Sequence, residues 1–317
     1  MSTARHHLSQ IRQGTSQPVS PALGALTREI LARHGKACQA ILFYGSCFRK
    51  GHDRQGVVDL YLLVDSYRSM YRNRLLGVAN KLLPPNVFYL ELPFKGRMVR
   101  AKYAVLSLAD FQRGTSLSCF HSYFWARFAQ PSALLYARTD QVLAQVQAAL
   151  EQAVITFISR VLPQLKDHFT AGDLWHEGFM LSYGAEFRAE RPDSLASLFQ
   201  AWSKHFERLT RAAVQLGPFP VAVVANEDPV FYHAFIPAGV RHRSHVQWCV
   251  RRLQGKLLSV LRLLKGLFTF QDGLDYVLWK IERHSGVAIK VPPRLRRYPL
   301  LAVCVLFWRS YRRGAFQ

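Results

Sequence analysis

Acidic residues are scarce in this chain. Its 317 residues include 20 Asp and Glu against 42 Lys and Arg, a formal charge of +22, and no carboxylate side chain precedes Glu29. Such a surface seeks polyanions, whether nucleic acid, nucleotide phosphates or anionic headgroups. Cysteine is sparse too. The five residues Cys38, Cys47, Cys119, Cys249 and Cys304 are an odd number with no pair at metal-ligand or redox spacing. That excludes a disulfide framework and a structural zinc site, and it points to a reducing compartment. No stretch reads as the ~20 apolar residues of a membrane span, and the N-terminus lacks the apolar core of a secretory signal. Disorder is excluded as well, because half of the residues are apolar and can bury a sizeable core.

Punctuation along the chain divides it into four parts. Residues 1–22 are polar, with Arg5 and Arg12 and closing prolines Pro18 and Pro21, and are expected to form a flexible leader. Residues 23–138 alternate between helix and strand patterns: a helix over Leu23–His34, strands over Ala40–Tyr44, Val57–Val64, Val87–Leu92 and Val99–Leu106, and a helix over Tyr67–Leu83. From Thr139 the apolar period becomes helical, with Val142–Leu162, Ala171–Arg188 and Leu195–Leu216, so 139–239 is predicted to be a mostly helical domain. Residues 240–317 hold a further helix over Val246–Phe268. From Arg241 onward 16 basic residues face only Asp272, Asp275 and Glu282.

The chemistry-bearing segment is Ile41-Leu42-Phe43-Tyr44-Gly45-Ser46, followed after eleven intervening residues by Val58-Asp59-Leu60-Tyr61-Leu62-Leu63-Val64. An apolar strand, Gly-Ser and a carboxylate on the next strand is the general nucleotidyltransferase pattern. Gly45 lets backbone approach a phosphate, Ser46 offers a hydroxyl and an N–H, and Asp59 offers a hard oxygen to Mg²⁺. The bland alternative is a turn between strands. It is weakened because a carboxylate flanked by Val57, Val58, Leu60 and Leu62 is costly unless paired or bound to a cation. A second carboxylate is often found two residues on, where Tyr61 stands here. Glu91 is therefore the expected second metal ligand, if β pairing brings it beside Asp59; its alternative is a solvent-facing side chain. Lys102 is placed to reach a phosphate, or to lie on an exposed sheet face.

Five segments in order resemble the mitochondrial translocator assembly and maintenance family, which are CTP-dependent CDP-diacylglycerol synthases, or a bacterial relative of it. They are Tyr44-Gly45-Ser46, Val58 to Asp65, Lys102-Tyr103-Ala104-Val105-Leu106-Ser107, Tyr123 to Pro131, and Asp173-Leu174 with Leu181 to Arg188. The resemblance covers roughly residues 38–190. It departs at Ala104 and Ala126, where the family has Gly, at Gln130 in place of Lys, and at Glu186 in place of Asp. The absent carboxylate at Tyr61 is shared with the family.

The resemblance implies an α+β fold: a nucleotidyltransferase-type mixed sheet with helices, then a mostly helical domain and a basic amphipathic C-terminal region. It also implies transfer of CMP from CTP to phosphatidate, with Mg²⁺ as cofactor. Asp59 would hold the metal, Gly45 and Ser46 would cradle phosphate, and Lys102 and Arg127 would bind triphosphate or lipid phosphate. Tyr44, Glu186 and Arg188 are further substrate-binding candidates, an ion pair being the alternative for the last two. An acceptor carrying two acyl chains must be met at an anionic membrane surface. Lys256–Phe268, with Lys256, Arg262 and Lys265 among its apolar residues, suits a headgroup boundary or equally a core helix, and Tyr298–Trp308, bracketed by arginines, suits a headgroup boundary. The expected location is peripheral, on the cytoplasmic face of a bacterial inner membrane or the matrix side of the mitochondrial inner membrane. Nucleic acid ranks below lipid because no RNA-binding aromatic signature accompanies the charge. The competing readings are a catalytically silent membrane-binding relative and a nucleotidyltransferase acting on RNA or a small polar acceptor.

Overall fold

In the computed structural model, which describes residues 6, 8–10, 20–50, 56–186, 198–225 and 229–269, five strands form one mixed sheet. Helix α1 (Pro21–His34) begins where the Ser20 hydroxyl accepts the Leu23 N–H, with Pro21 in the first turn. The chain continues through β1 (Cys38–Tyr44), a short helix α2 (Gly45–Lys50), β2 (Val58–Val64), and helices α3 (Tyr67–Met70) and α4 (Arg74–Leu82). The hairpin β3 (Asn86–Phe94) and β4 (Arg97–Ser107) follows, then α5 (Leu108–Thr115), α6 (Trp125–Phe128) and β5 (Ala133–Ala137). Strand order is β3-β4-β2-β1-β5. Only β2 and β4 run parallel; the other neighbours are antiparallel. Lys95 and Gly96 both take positive φ, 45° and 75°, and make the tight turn whose twist suits the β3–β4 hairpin.

Alternation along the strands builds two cores. Ile41, Phe43, Leu60, Leu62, Tyr103 and Val105 pack with Leu23, Leu26 and Ile30 of α1. The opposite face, including Leu42, Tyr61, Leu63 and Leu106, joins the apolar sides of α7 (Asp140–Val161), α8 (Ala171–Gly184) and α9 (Ser203–Ala213). The change of period near residue 138 is thus a change of element type within one continuous core. Leu8, inside the stretch expected as a free leader, is fully buried in that same core, so this part of the leader is packed. By length and composition α7 could cross a membrane, yet 61% of its apolar window is buried inside the protein. It is the central core helix. A small sheet of β6 (His168–Thr170), β7 (Val221–Ala225) and β8 (Phe231–Ala234) precedes α10 (Ala238–Thr269).

The helix expected over Tyr67–Leu83 is two helices. Tyr71 is extended (φ −112°, ψ 125°), and Asn73 caps the second helix by accepting the Leu75 N–H. An Asn that competes for backbone N–H groups favours a new start over continuation. Ala133–Ala137, not expected as a strand from sequence, closes the sheet beside β1. Gly255 brings α10 against α8: a Cβ there would lie 2.2 Å from the Ala185 carbonyl oxygen.

His121, after α5, is half-buried, with its Nδ1 enclosed and unpartnered among the described residues. Burial first, then the charges of Arg262 and Arg251, push it down from 6.5 to about 4. Between those pH values the unfolded chain takes up a proton at this histidine and the folded chain does not. Its contribution therefore lowers stability as pH falls through that window, by about 3 kcal/mol in full. Urea unfolding at a series of pH values should show His121→Phe with a shallower acid loss than the native chain.

Candidate active site

Asp59, Tyr61 and Leu63 alternate onto the face of β2 that looks toward the helices. Tyr61 and Leu63 are fully buried in the core. Asp59, one step nearer the strand's start, emerges where that core opens into a cleft of about 950 Å³. β1 delivers Tyr44 directly opposite Asp59. The turn that follows has Gly45 at φ +86°. A Cβ built there would fall 2.5 Å from Asp59 Oδ2. The glycine is therefore needed to admit the carboxylate itself, a task that stands beside the phosphate approach expected from sequence. Ser46 is exposed at the cleft wall.

The parallel pairing of β2 with β4 puts Lys102 beside Asp59. Its Nζ lies 2.9 Å from Asp59 Oδ1. The side chains are 17% (Asp59) and 32% (Lys102) exposed, so both remain open to a ligand. Glu91 shares the face of Lys102 but does not reach Asp59, which corrects the expected second metal ligand. β4 lies between β3 and β2, placing Glu91 two strand spacings away, about 10 Å sideways. There it takes a 2.8 Å ion pair from Arg100 and the Tyr89 hydroxyl hydrogen at 2.6 Å.

Arg127 sits deeper in the cleft, held by α6. Its Nη1 donates to the Tyr61 hydroxyl at 3.1 Å and to that of Tyr123 at 3.3 Å, and Nη2 pairs with Glu186 at 3.4 Å. The guanidinium also stacks 4.4 Å from the Tyr123 ring centre. Burial disfavours its charge, but Tyr123, Tyr61, Tyr44 and Glu186 together outweigh burial and hold Arg127 cationic. Tyr61 thus replaces a carboxylate with a buried phenol that supports Arg127. Burial pushes Tyr44 up to about 12, so its phenol is neutral at physiological pH. Tyr183 donates its hydroxyl to Gln130 Oε1 at 3.3 Å, a contact a lysine at 130 would not accept.

Two cations were not expected in the cleft from sequence. Arg49 lines it from α2, one turn after Ser46, a spacing that could have singled it out. Arg262 enters from α10, and no local pattern marks it. The cleft thus carries Arg49, Lys102, Arg127 and Arg262 against Asp59 and Glu186. That balance favours a polyanionic ligand. Arg188 and the Tyr298–Trp308 run lie outside the described residues.

No family model and no curated protein matches the chain. Among solved structures, a nucleotidyltransferase-like protein from Exiguobacterium sibiricum 255-15 aligns over 91% of this chain and 90% of its own, at 11% identity and a TM-score of 0.26. A likeness that loose carries no argument about the site.

Proposed function

We propose that the cleft is a nucleotidyltransferase site and that its reaction is transfer of CMP from CTP to phosphatidate, giving CDP-diacylglycerol and pyrophosphate. One observation carries this reading. Gly45 from the turn after β1, Asp59 from β2 and Lys102 from β4 converge at the mouth of a large, net-cationic cleft. A phosphomonoester oxygen of the acceptor would attack the α-phosphorus of CTP. A new P–O bond forms there, the bond to the bridging oxygen of the β-phosphate breaks, and pyrophosphate leaves with that electron pair.

Mg²⁺ fits this donor set on one condition. The described residues hold no group of three His, Cys, Asp or Glu side chains. Mg²⁺ usually takes one or two protein carboxylates and completes its octahedron with water and substrate phosphates. Asp59 would be the protein ligand, and the ion would neutralise charge on the triphosphate. Lys102 holds Asp59 in place and offers its ammonium to phosphate oxygens. Ser46 presents a hydroxyl to the same anion, and Arg127, fixed by Tyr61, Tyr123 and Glu186, presents a rigid positive wall.

The lipid acceptor is favoured over RNA because α10, which lines the cleft through Val260, Arg262 and Leu263, exposes Leu253, Leu257 and Leu264 outside it. Apolar side chains beside basic ones suit an anionic bilayer and a peripheral position on it. Its cellular place would be the cytoplasmic face of a bacterial inner membrane or the matrix side of the mitochondrial one. The test supplies purified protein with α-³²P-labelled CTP, Mg²⁺ and either phosphatidate vesicles or RNA. Label is expected in the organic phase only. Label in RNA alone would overturn the lipid acceptor, and label in neither would overturn the enzymatic reading in favour of a silent membrane-binding protein.

A further inference from the structure

Tyr123 carries a guanidinium on its ring twice over: Arg127 at 4.4 Å and Arg262 at 3.9 Å from the ring centre. The two are not equivalent. Arg127 has its countercharge in Glu186 at 3.4 Å. Arg262 donates Nε to the Pro84 carbonyl at 2.9 Å, and among the described residues no carboxylate forms an ion pair with it. Burial disfavours its charge and the nearby Arg127 cation adds to that, while the carboxylate of Glu186, which pairs with Arg127, opposes them. A half-buried cation without an acid is costly unless an anion arrives from outside.

The position of Arg262 is fixed, which makes it usable. One turn further along α10, Lys265 donates to the carbonyls of Leu83 and Pro85. Two cations of one helix thus grip three consecutive carbonyls just before β3. Nε is consumed by that grip, leaving the terminal Nη groups as the donors for a ligand. The triphosphate reading occupies a different set of groups, Gly45, Ser46 and Lys102, all on or beside β1, β2 and β4. Beside Arg262 in the cleft wall are Val260 and Leu263, and Leu257, Leu261 and Leu264 on the same helix are 59%, 41% and 50% exposed.

We infer that Arg262 is the residue that receives the acceptor, binding a phosphomonoester dianion whose remaining part is apolar and lies along α10. The inference rests on the proposed transfer reaction for its purpose, but its binding step can be measured alone. Dihexanoyl phosphatidate, dihexanoyl phosphatidylcholine and inorganic phosphate are titrated calorimetrically into the full chain and into Arg262→Gln and Arg262→Lys. The native chain should bind the phosphatidate more tightly than inorganic phosphate, and the phosphatidylcholine least. Arg262→Gln should weaken phosphatidate binding about 10- to 100-fold, the range for a charge-assisted hydrogen-bonded pair, and Arg262→Lys should recover part of it. Affinity for CTP with Mg²⁺ should change less than about twofold in both variants, which also certifies their folding. Unchanged phosphatidate affinity in Arg262→Gln, or a CTP loss equal to the phosphatidate loss, would overturn the inference. If phosphatidate binding falls as expected but the native chain transfers no CMP, the inference stands and the reaction reading fails.

Discussion

Gly45→Ala should slow the proposed nucleotidyl transfer by at least about 100-fold while leaving the protein folded. The residue sits at φ +86°, where any Cβ is strained, and that Cβ would fall 2.5 Å from Asp59 Oδ2 and 3.0 Å from Asp59 Cβ. Backbone strain alone costs about 1–2 kcal/mol. The carboxylate must also move, and its partner Lys102, 2.9 Å away, must follow or let go. A displacement near 1 Å at reacting groups costs about 100-fold in rate, so a loss of at least that size is expected in the labelled-CTP assay. Gly96→Ala is the matched control. It shares positive φ, at 75°, but a Cβ there meets nothing within 4 Å. It should lower stability to urea by a similar amount and leave the rate unaltered. Equal activity losses in the two variants would remove the case for a steric fit between Gly45 and Asp59.

The same pair of glycines explains what could be read from sequence. Gly45-Ser46 after an apolar strand and Asp59 within another were legible because each is a local exception: a turn residue ending a run, and a charge inside one. Antiparallel pairing then places Tyr44 across from Asp59. Lys102 was visible only as a basic residue on a strand. Its contact with Asp59 depends on β4 lying parallel to β2, a non-local choice no short window encodes. Glu91 failed for the same reason. Its parity along β3 was right, since it shares the face of Lys102, but β4 intervenes and Arg100 supplies its countercharge. Arg262 is 135 residues beyond Arg127 in sequence yet stacks on the same tyrosine. Its role follows from where α10 lands, which Gly255 against Ala185 and the grip on residues 83–85 decide.

Removing the Asp59 carboxylate should be the most damaging single change to catalysis, and its partner tells why. If the 2.9 Å pair with Lys102 served only to hold β2 and β4 together, replacing both by neutral residues of similar shape would restore function. A partly exposed pair of this kind is worth about 1 kcal/mol or less. A catalytic pair behaves otherwise. In the proposed reaction Asp59→Asn should cost about 1,000-fold in transfer, because the charged oxygen that would hold the metal is lost, and Lys102→Met about 100-fold, because the cation that would meet the phosphate oxygens is lost. The double variant should unfold in urea at nearly the native concentration, since no charge is left unpaired, yet stay at least as inactive as Asp59→Asn. Stability and activity would then part company in one cycle: the coupling appears in the unfolding energy, and the loss of rate persists. A double variant regaining native transfer would make Asp59–Lys102 a structural ion pair and move the chemistry elsewhere in the cleft.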